Sequence, residues 1–372
     1  GRTVLATPNH SFTTIVDGKL KSLEVSQLNK EGYLPVARKL DTPDIYKKFD
    51  VSRFVNHNDL VYSNIINKNI KTFNSGDISL HRAAVKSNIN KETMVKYINR
   101  HPVDLTKNMI RSKFDTKWIP KKITFNESFG RIIGFFLAEG DINQNSIRIT
   151  NYNPEIIDLI EKDFINIFKR ISRYDEDHTI QFHNASLAKI FKQIFGTGAE
   201  NKKIPNNFLF TPKNFRYNLL SAYFTGDGFV EKKGLYISAV TKSKTLAYSI
   251  SDFLATVGIF GTLRKKEIKN DPYKGHIFYK IILTGEEVIK FHNKIGFLCS
   301  EKQGRLTSLI KNTSTSSRYQ TKDIIPNFGD VLKRITRNLG LKGKRNTWQR
   351  TFLAELRGKT QRQRAGRLYL LN

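Results

Sequence analysis

Two apolar helical segments with the same ending constrain the fold more than any other feature of the sequence. The first runs from Ile132 to Gly140 and the second from Leu220 to Gly228, and each ends in an acid between a small residue and a glycine. Residues four apart lie on one helix face, and small ones let two backbones approach closely. These faces are Gly130, Gly134 and Ala138 in the first copy, and Asn218, Ala222 and Gly226 in the second.

Packing along these faces brings Glu139 and Asp227 together at the C-terminal ends of the two helices. Paired carboxylates at a helix-helix seam can hold a hard divalent cation and, through it, a phosphate. A single apolar helix that ends in acid-Gly is common, because glycine often follows a helix C-terminus. Two copies, each followed by a strand-like stretch, favour the functional interpretation over capping.

Both segments resemble the LAGLIDADG motif of homing endonucleases, in the two-motif, single-chain form often carried inside inteins. In that family the last acid of each motif binds the catalytic metals. The resemblance implies metal ligands at Glu139 and Asp227, with Ala138 and Gly226 included in the metal site, and Mg2+ as cofactor, with Mn2+ able to substitute. The first copy departs from the family pattern, since its acid is glutamate, one methylene longer than aspartate.

Charge points to a polyanionic partner. The 372 residues include 63 Lys or Arg and 33 Asp or Glu, a net charge of +30. Double-stranded DNA is the expected partner, with an affinity that falls steeply with salt. An anionic membrane is the alternative, but no long apolar run or signal peptide supports it. Cys299 is the only cysteine, which excludes internal disulfides and Cys-based zinc fingers. We therefore expect an intracellular, cytoplasmic and nucleoid-associated monomer.

The order of elements repeats along the chain as αββαββα, an internal duplication. The sequence predicts an α+β fold with two pseudo-symmetric halves, residues 123–210 and 211–317, each with a curved antiparallel sheet. The first motif helix is expected to start at Asn126 or Ser128, and the second at Thr211-Pro212, with Thr211 as the cap. A helix from Pro154 to Ile171 is predicted between a hairpin at residues 142–152 and a strand at residues 179–183.

One face of each sheet must pack on helices, which leaves the other free. Strand ribbons with polar and basic side chains fit DNA major grooves and can read base edges. The alternative is an ordinary solvated face. The candidate DNA-binding residues are Arg148, Thr150, Gln181, His183, Tyr236, Ser238, Lys242, Arg264, Lys266 and Lys280, and Asn151, Thr241 and Tyr279 share the same apparent alternation.

Two lysines are candidate catalytic residues. Lys202 opens the segment Lys202-Lys203-Ile204-Pro205, which resembles the Lys-x-Ile-Pro block that precedes the second motif in intein endonucleases. The resemblance implies that this lysine lies beside the active site and stabilises developing charge. Lys302 matches it by internal symmetry only, because each lysine lies six residues after a glycine, Gly196 or Gly296.

Residues 1–40 resemble part of a Hint (intein splicing) domain. The matching pieces are Gly1-Arg2-Thr3-Val4, Thr7 and His10 with Phe12, and Gly32-Tyr33-Leu34-Pro35-Val36. In inteins that Thr and His polarise the amide at the N-terminal splice junction. Because the chain starts at Gly1 and ends at Asn372 without His-Asn, we expect that it does not splice by itself and is the interior of a larger intein.

The remaining segments, residues 41–122 and 318–372, are basic and partly helical. In the first, Ser79 to Ile98 has the spacing of a helix-turn-helix, with a plain helical hairpin as the equal alternative. In the second, helical patches are expected at residues 328–339 and 347–356, in a segment that grips the DNA backbone or is a partly disordered tail.

The resemblance implies a site-specific homing endonuclease that hydrolyses both strands of a long, asymmetric DNA target across the minor groove and leaves short 3′ overhangs. The alternative from another class is a catalytically silent DNA-binding protein, or an RNA maturase, on the same scaffold.

Overall fold

The structure is a computed structural model. It describes residues 4–16, 19–28, 34–99, 108–113, 115, 117–169, 173–175, 178–232, 234–269 and 275–313, together with Arg334 and Asn338. The chain divides into one unit of residues 38–314 and a second unit of residues 2–37 and 315–372. The sequence-based expectations for residues 328–339 and 347–356, and for Gly1 to Thr3, Gly32 and Tyr33, fall on or largely on residues outside this description.

The described part of the second unit contains an antiparallel hairpin, β1 (Ser11–Val16) and β2 (Lys19–Glu24). This agrees with the small β segment that the sequence predicts there. Its likeness to a Hint domain stays a prediction.

Residues 38–124 form an accessory region of three helices and short strands. In chain order these are β3 (Lys48–Asp50), β4 (Leu60–Tyr62), α1 (Ser63–Asn74), α2 (Leu80–Lys86), α3 (Lys91–Asn99), β5 (Met109–Ser112), β6 (Ile119–Pro120) and β7 (Lys122–Thr124). Strand β3 pairs with β7, and β4, β5 and β6 make a three-stranded antiparallel sheet. The sequence predicted two helical patches here and none of the strands.

The first half of the duplicated core follows. It consists of α4 (Glu127–Glu139), β8 (Gly140–Asn143), β9 (Ser146–Thr150), α5 (Pro154–Phe168), β10 (Arg173–Asp175), β11 (Thr179–His183) and α6 (Ala185–Phe195). Its antiparallel sheet has the order β10-β11-β9-β8.

The second half repeats this order of elements. It consists of α7 (Lys213–Asp227), β12 (Gly228–Val230), β13 (Tyr236–Thr241), α8 (Lys244–Thr256), β14 (Thr262–Glu267), β15 (Ile277–Thr284) and α9 (Glu286–Lys294), and α10 (Ser300–Asn312) is added after it. Its antiparallel sheet has the order β12-β13-β15-β14. The predicted α+β fold with two αββαββα halves is confirmed.

Three details of the sequence-based prediction are wrong. Thr211 does not cap α7, because its hydroxyl donates to the Phe208 carbonyl at 2.7 Å and Pro212 is the residue before the helix. Helix α5 ends at Phe168 rather than Ile171, since Lys169 adopts a left-handed φ of 56°. Helix α10 was not predicted at all. The cap of α4 is Asn126, whose side chain accepts from Phe129 N at 3.0 Å.

One hydrophobic core extends through both halves and into the accessory region. Aromatic rings dominate it where α4 and α7 begin, with the Phe125 ring 4.9 Å from Phe215 and 5.0 Å from Phe208. These contacts join the segment between β7 and α4 to α7 and to the turn before it, through apolar side chains that are almost fully buried. The two halves are therefore parts of one folded body.

The seam between α4 and α7 is packed backbone to backbone. A Cβ atom placed on Gly130 would lie 2.5 Å from the Phe215 carbonyl oxygen, and one on Gly134 would collide with the Leu219 carbonyl. Such distances leave no room for any side chain, so both positions require glycine for closeness rather than for backbone conformation. The predicted small-residue face of α4 is thus the contact face.

A partly buried arginine closes this seam on one side. Arg131 of α4 donates two hydrogen bonds of 2.7 Å to Asp163 of α5 and one of 2.8 Å to the Asn218 side chain of α7. Asp163 is fully buried, so its charge depends on the bidentate guanidinium for compensation. Asn218 lies on the contact face of α7 as expected, with its Cβ atom against Gly130, and its side chain adds a polar contact between the halves.

Substitution of Gly134 tests the seam. Because a single methyl group must displace the Leu219 carbonyl and Ala222, we expect Gly134→Ala to lower the free energy of unfolding by about 1–3 kcal/mol. Gly304, exposed in α10 with open space around its Cα, is the matched control, and Gly304→Ala should raise stability by about 0.5–1 kcal/mol. Urea denaturation measures both, and equal stability of Gly134→Ala and the wild type would refute the close packing.

Candidate active site

The two motif acids lie beside each other at the C-terminal ends of α4 and α7. A Cβ atom placed on Gly226 would lie 2.6 Å from the Ala138 Cβ and 3.3 Å from the Glu139 Cγ and Cδ atoms. The Glu139 carboxyl group therefore lies against the last turn of α7, one residue before Asp227. The predicted juxtaposition of one acid from each half is present in the structure.

Different side chains contact the two carboxyl groups. The Asn151 amide, just after β9, donates to Glu139 Oε2 at 2.5 Å. The register of the strands places Thr241 at the position in the second half that corresponds to Asn151, and Thr241 instead accepts from Ser243 N. Asp227 thus has no equivalent amide from its own sheet.

Tyr223 precedes Asp227 by one turn of α7 and is fully buried. Its hydroxyl interacts with the Asp227 carboxyl group, although the two do not meet strict hydrogen-bond geometry. Burial and the nearby Asp227 charge raise the pKa of Tyr223 well above its usual value. The corresponding residue of the first half is Phe135, so this hydroxyl occurs in one half only.

Each lysine predicted from the sequence contacts the end of one motif helix. Lys202 Nζ donates to the carbonyls of Phe136 and Ala138 at 3.0 and 3.4 Å, and Lys302 Nζ donates to those of Thr225, Gly226 and Gly228 at 2.5, 3.3 and 2.9 Å. The last carbonyls of a helix lack intrahelical partners and carry partial negative charge. Lys302 thus has the same environment as Lys202, although it lies in the first turn of α10 and not in a loop.

Burial dominates the electrostatics of the four charged groups. It raises the pKa of Asp227 to about 7, with the Lys202 charge opposing and the Glu139 charge adding to the rise. Burial also raises the pKa of Glu139, against the Asn151 hydrogen bond. It lowers the pKa of Lys202 to about 8, which the Asp227 charge opposes, and lowers the pKa of Lys302. Two desolvated acids thus share one space with two desolvated cations.

The donor set of this site fits a hard divalent cation. Two carboxylates and the carbonyl oxygens of Ala138 and Gly226 are oxygen ligands of the kind that Mg2+ prefers. Among the residues that the structure describes, there is no group of three or more His, Cys, Asp or Glu side chains able to hold a metal. A cation here would take its other ligands from water and phosphate, as Mg2+ commonly does.

The free face of the first sheet carries four of the five residues expected there, and Asn151 is the exception because it is one residue out of phase with Thr150 and contacts Glu139. Cross-strand pairing aligns Asp141, Arg148 and Gln181 in one row, and Asn143, Ser146 and His183 in the next. Thr150 pairs with Thr179, and their hydroxyls are 2.8 Å apart. The opposite face consists of buried side chains, among them Ile147 and Phe182. Asp141 was not predicted, and it binds Arg148 through two hydrogen bonds of 3.0 and 2.7 Å.

The free face of the second sheet is more apolar than the sequence suggested. Register places Tyr236, Arg264, Lys266 and Lys280 on this face, and the Lys242 ammonium lies 5.8 Å from the centroid of the Phe278 ring beside them. Phe229 and Val240, 49% and 43% exposed, lie among them and were missed. Apolar side chains at such positions can contact the thymine methyl group.

Three expected contacts on this sheet need correction. Ser238 lies on the free face but is only 3% exposed, between its cross-strand partners Phe229 and Ile282, so its hydroxyl is not accessible to DNA. Thr241 and Tyr279 pair with each other and face the helices, because they are one residue out of phase with Lys280. Polar and apolar residues alternate too irregularly along β13 and β15 for the sequence alone to show which residues share a face of the sheet.

Thr7 and His10 lie in the unit that contains β1 and β2, and both are exposed. His10 N donates to the Thr7 carbonyl at 3.0 Å, and the His10 ring contacts Phe12 edge to face. The two residues predicted from the Hint resemblance are therefore close together.

Comparison with known proteins finds similarity to a described family in the second half of the core. Residues 214–296 match the family model of the LAGLIDADG-like domain. The DNA-directed RNA polymerase subunit Rpo1C of Methanocaldococcus jannaschii is 26% identical over 90% of this chain and 34% of its own length. The ATP-dependent DNA helicase Hel308 of Thermococcus kodakarensis is 25% identical over 51% of this chain and 18% of its own length. The chain therefore spans about a third or less of these relatives.

Among solved structures, I-DmoI in complex with DNA and Ca is similar, with a TM-score of 0.37 and 13% identity over 50% of this chain and 99% of that one. The match to the LAGLIDADG-like domain covers Asp227, Tyr223 and the second sheet.

None of the helices in the described part of the chain combines the length and apolar character that a membrane span requires.

Asp227→Asn tests the electrostatics of the site. An unfolded Asp has a pKa near 3.9, whereas folding raises the pKa of Asp227 to about 7. The neutral acid therefore favours folding at low pH, and this contribution to stability is lost as the pH rises through about 7. In EDTA we expect Asp227→Asn to raise the free energy of unfolding by about 2–4 kcal/mol at pH 8 and by little at pH 4. Asp158→Asn, on the exposed face of α5, controls for loss of one negative charge. A pH-independent difference between Asp227→Asn and the wild type would contradict the buried carboxylate.

Proposed function

We propose that this chain is a site-specific DNA endonuclease of the LAGLIDADG type, which makes a double-strand break by metal-dependent hydrolysis. The observation that carries this proposal is the pair of acids, Glu139 and Asp227, held side by side by the glycine-packed ends of α4 and α7. The LAGLIDADG-like match over residues 214–296 supports it independently of the geometry.

Glu139 and Asp227 would hold Mg2+, or Mn2+ in its place, together with the carbonyl oxygens of Ala138 and Gly226. Such a cation, when bound, lowers the pKa of an attacking water and neutralises the leaving oxyanion. The charge of the site also suits this role, because two buried carboxylates gain a counter-charge and recover the ionised form. Asn151 orients the Glu139 carboxylate through its 2.5 Å hydrogen bond.

Lys202 and Lys302 would stabilise negative charge on the phosphate in the transition state. Each ammonium is already fixed against the carbonyls at the end of one motif helix, so no reorganisation is required when charge develops. Because the two halves are pseudo-symmetric, we propose that one lysine serves each DNA strand.

The two free sheet faces would bind the DNA on either side of the acids. The first face is polar, with Arg148, Thr150, Gln181 and His183, and it reads base edges by hydrogen bonding. The second face combines Tyr236, Lys242, Arg264, Lys266 and Lys280 with exposed Phe229 and Val240. Because the two faces carry different side chains, they would recognise different base sequences, which suits a long, asymmetric target bound by a monomer.

An intein origin is part of this proposal. The chain matches only a part of an RNA polymerase subunit and of a DNA helicase, two proteins named for different activities. A segment shared by such different proteins is consistent with an inserted element rather than with the activity of either host. In this interpretation Thr7 and His10 belong to the splicing domain that carries the nuclease, and the protein acts on DNA inside the cell.

Cleavage of a random duplex library tests the nuclease proposal. The purified chain is incubated with Mg2+ and the library, and the new DNA ends are captured by adapter ligation and sequenced. We expect the wild type to enrich one long sequence with a fixed cut on each strand, and Asp227→Asn to lose at least about a thousandfold in cleavage rate while retaining DNA in filter binding. Equal cutting by Asp227→Asn and the wild type would contradict the nuclease site. If the wild type retained DNA on the filter but did not cut it, the protein would be a DNA-binding protein only. Stronger competition by structured RNA than by duplex DNA would favour the maturase.

Lysine variants then separate the two strands. With both strands of the selected target labelled, we expect Lys202→Met and Lys302→Met each to slow the cut on one strand by about 100- to 1,000-fold and to leave the other strand nearly unaffected, so that opposite nicked intermediates accumulate. Lys242→Met, which removes a basic residue at the edge of the second sheet, should weaken DNA binding without strand bias. Uniform slowing of both strands by either active-site variant would contradict the assignment of one lysine to each strand.

A further inference from the structure

The accessory region contains a compact three-helix module. Buried Ala83, Ala84 and Met94 form its centre, and Ile70 and Phe73 of α1 pack against them. Asn69 of α1 also donates to the Ser87 hydroxyl at 2.9 Å, in a buried contact. Helices α2 and α3 are thus held on a third helix and do not form an isolated hairpin.

The connection between α2 and α3 has the geometry of a helix-turn-helix. Asn88 adopts a left-handed φ of 56°, while Asn88 N donates to the Val85 carbonyl and Ile89 N to the Ala84 carbonyl. These two bonds are the Schellman arrangement that ends a helix sharply. The Asn88 side chain donates to the carbonyls of Asn58 and Leu60 at 2.9 and 3.0 Å, which fixes asparagine at a position where glycine is usual.

Helix α3 starts at once after this turn and exposes one stripe. The Asn90 side chain accepts from Thr93 N at 2.8 Å and caps the helix. The exposed residues of α3 are Lys91, Glu92, Val95, Lys96 and Asn99, and Arg82 and Lys86 are exposed on α2. Cations outnumber the single acid, and Val95 is 37% exposed among them, which suits a helix that meets phosphates and base edges together.

The module is fixed to the first half of the core by a short link. Asp115, beyond β5, accepts hydrogen bonds from Ala185 N and Ser186 N at 2.9 and 3.2 Å, at the start of α6. Asn184 donates to the Lys117 carbonyl, and Trp118 packs with Val61 and Ile66 in a cluster beside the module centre. The Trp118 ring also contacts Tyr97 of α3 edge to face, so these contacts connect α3 to the start of α6.

We propose that α2 and α3 are a helix-turn-helix whose second helix enters a major groove of duplex DNA, next to the part of the target that the first sheet covers. This inference rests on the proposed function, since it places the module on DNA already held by the sheets. The DNA target then extends further on the side bound by the first half of the core than the two sheets alone would cover. The additional contact is expected about 10 base pairs, one helical turn, beyond the bases read by the first sheet.

Footprinting with the uncut complex tests the proposal. In the full chain carrying Asp227→Asn, we expect the protected DNA to extend past the bases covered by the first sheet, into the flank on that side. We expect Lys91→Ala with Lys96→Ala to weaken binding to the complete duplex by about 10- to 100-fold and to reduce the salt slope by about 1 to 2. The double variant should bind a duplex truncated on that flank as well as the unaltered chain does. Lys68→Ala with Lys71→Ala, on exposed positions of α1, removes the same charge from the same module and should have the smaller effect on both duplexes.

The outcomes separate this inference from the proposed function. Loss of all protection in the chain with Asp227→Asn would overturn DNA binding by the sheets, and with it the frame of this inference. Normal central protection with no effect of the α3 variant, or equal weakening on both duplexes, would overturn the helix-turn-helix alone.

A radical-generating probe attached at Asn99→Cys should cut in the flank, and one at His183→Cys nearer the centre; the reverse order would also overturn the proposal. The native Cys299 is buried and does not compete for the probe.

Discussion

The close approach of α4 and α7 is the constraint on which the rest of the structure depends. Gly130 and Gly134 leave room for backbone only, so the two helices meet without intervening side chains and their C-terminal ends converge. Convergence of these ends places Glu139 beside the turn that carries Asp227. The sheets follow directly after each helix, so the same seam also fixes where the two free sheet faces lie.

This arrangement has an electrostatic cost that the site itself balances. Burial disfavours the charged forms of both acids and both lysines, yet each lysine contacts helix-end carbonyls and opposes the raised pKa of Asp227. This compensation is partial, because the pKa of Asp227 stays raised to about 7 and its ionised carboxylate still costs free energy above that pH. Removing a lysine alone would leave the acids with less compensation. In the proposed function, a bound divalent cation supplies the missing counter-charge.

Much of this architecture could be predicted from the sequence, because it depends on repetition and on small residues at helical spacing. The seam, the duplicated αββαββα order and the acid pair follow from that pattern. The pattern says little about contacts that join distant segments. The contacts of Arg131 with Asp163 and Asn218, and those of Asp115 with the start of α6, depend on tertiary geometry. The phase of β13 and β15 was also inaccessible, since Ser238 and Tyr279 follow no clean alternation and only the register decides which face each takes.

Metal binding measured on the intact chain tests the central claim, that one acid from each half serves one shared site. Titration with Mn2+, followed by electron paramagnetic resonance in the presence of duplex DNA, is compared for the wild type, Glu139→Gln, Asp227→Asn and the double variant. A shared site predicts that either single substitution removes most of the affinity and that the second adds little. Independent, additive losses from the two substitutions, or wild-type affinity in both single variants, would contradict it.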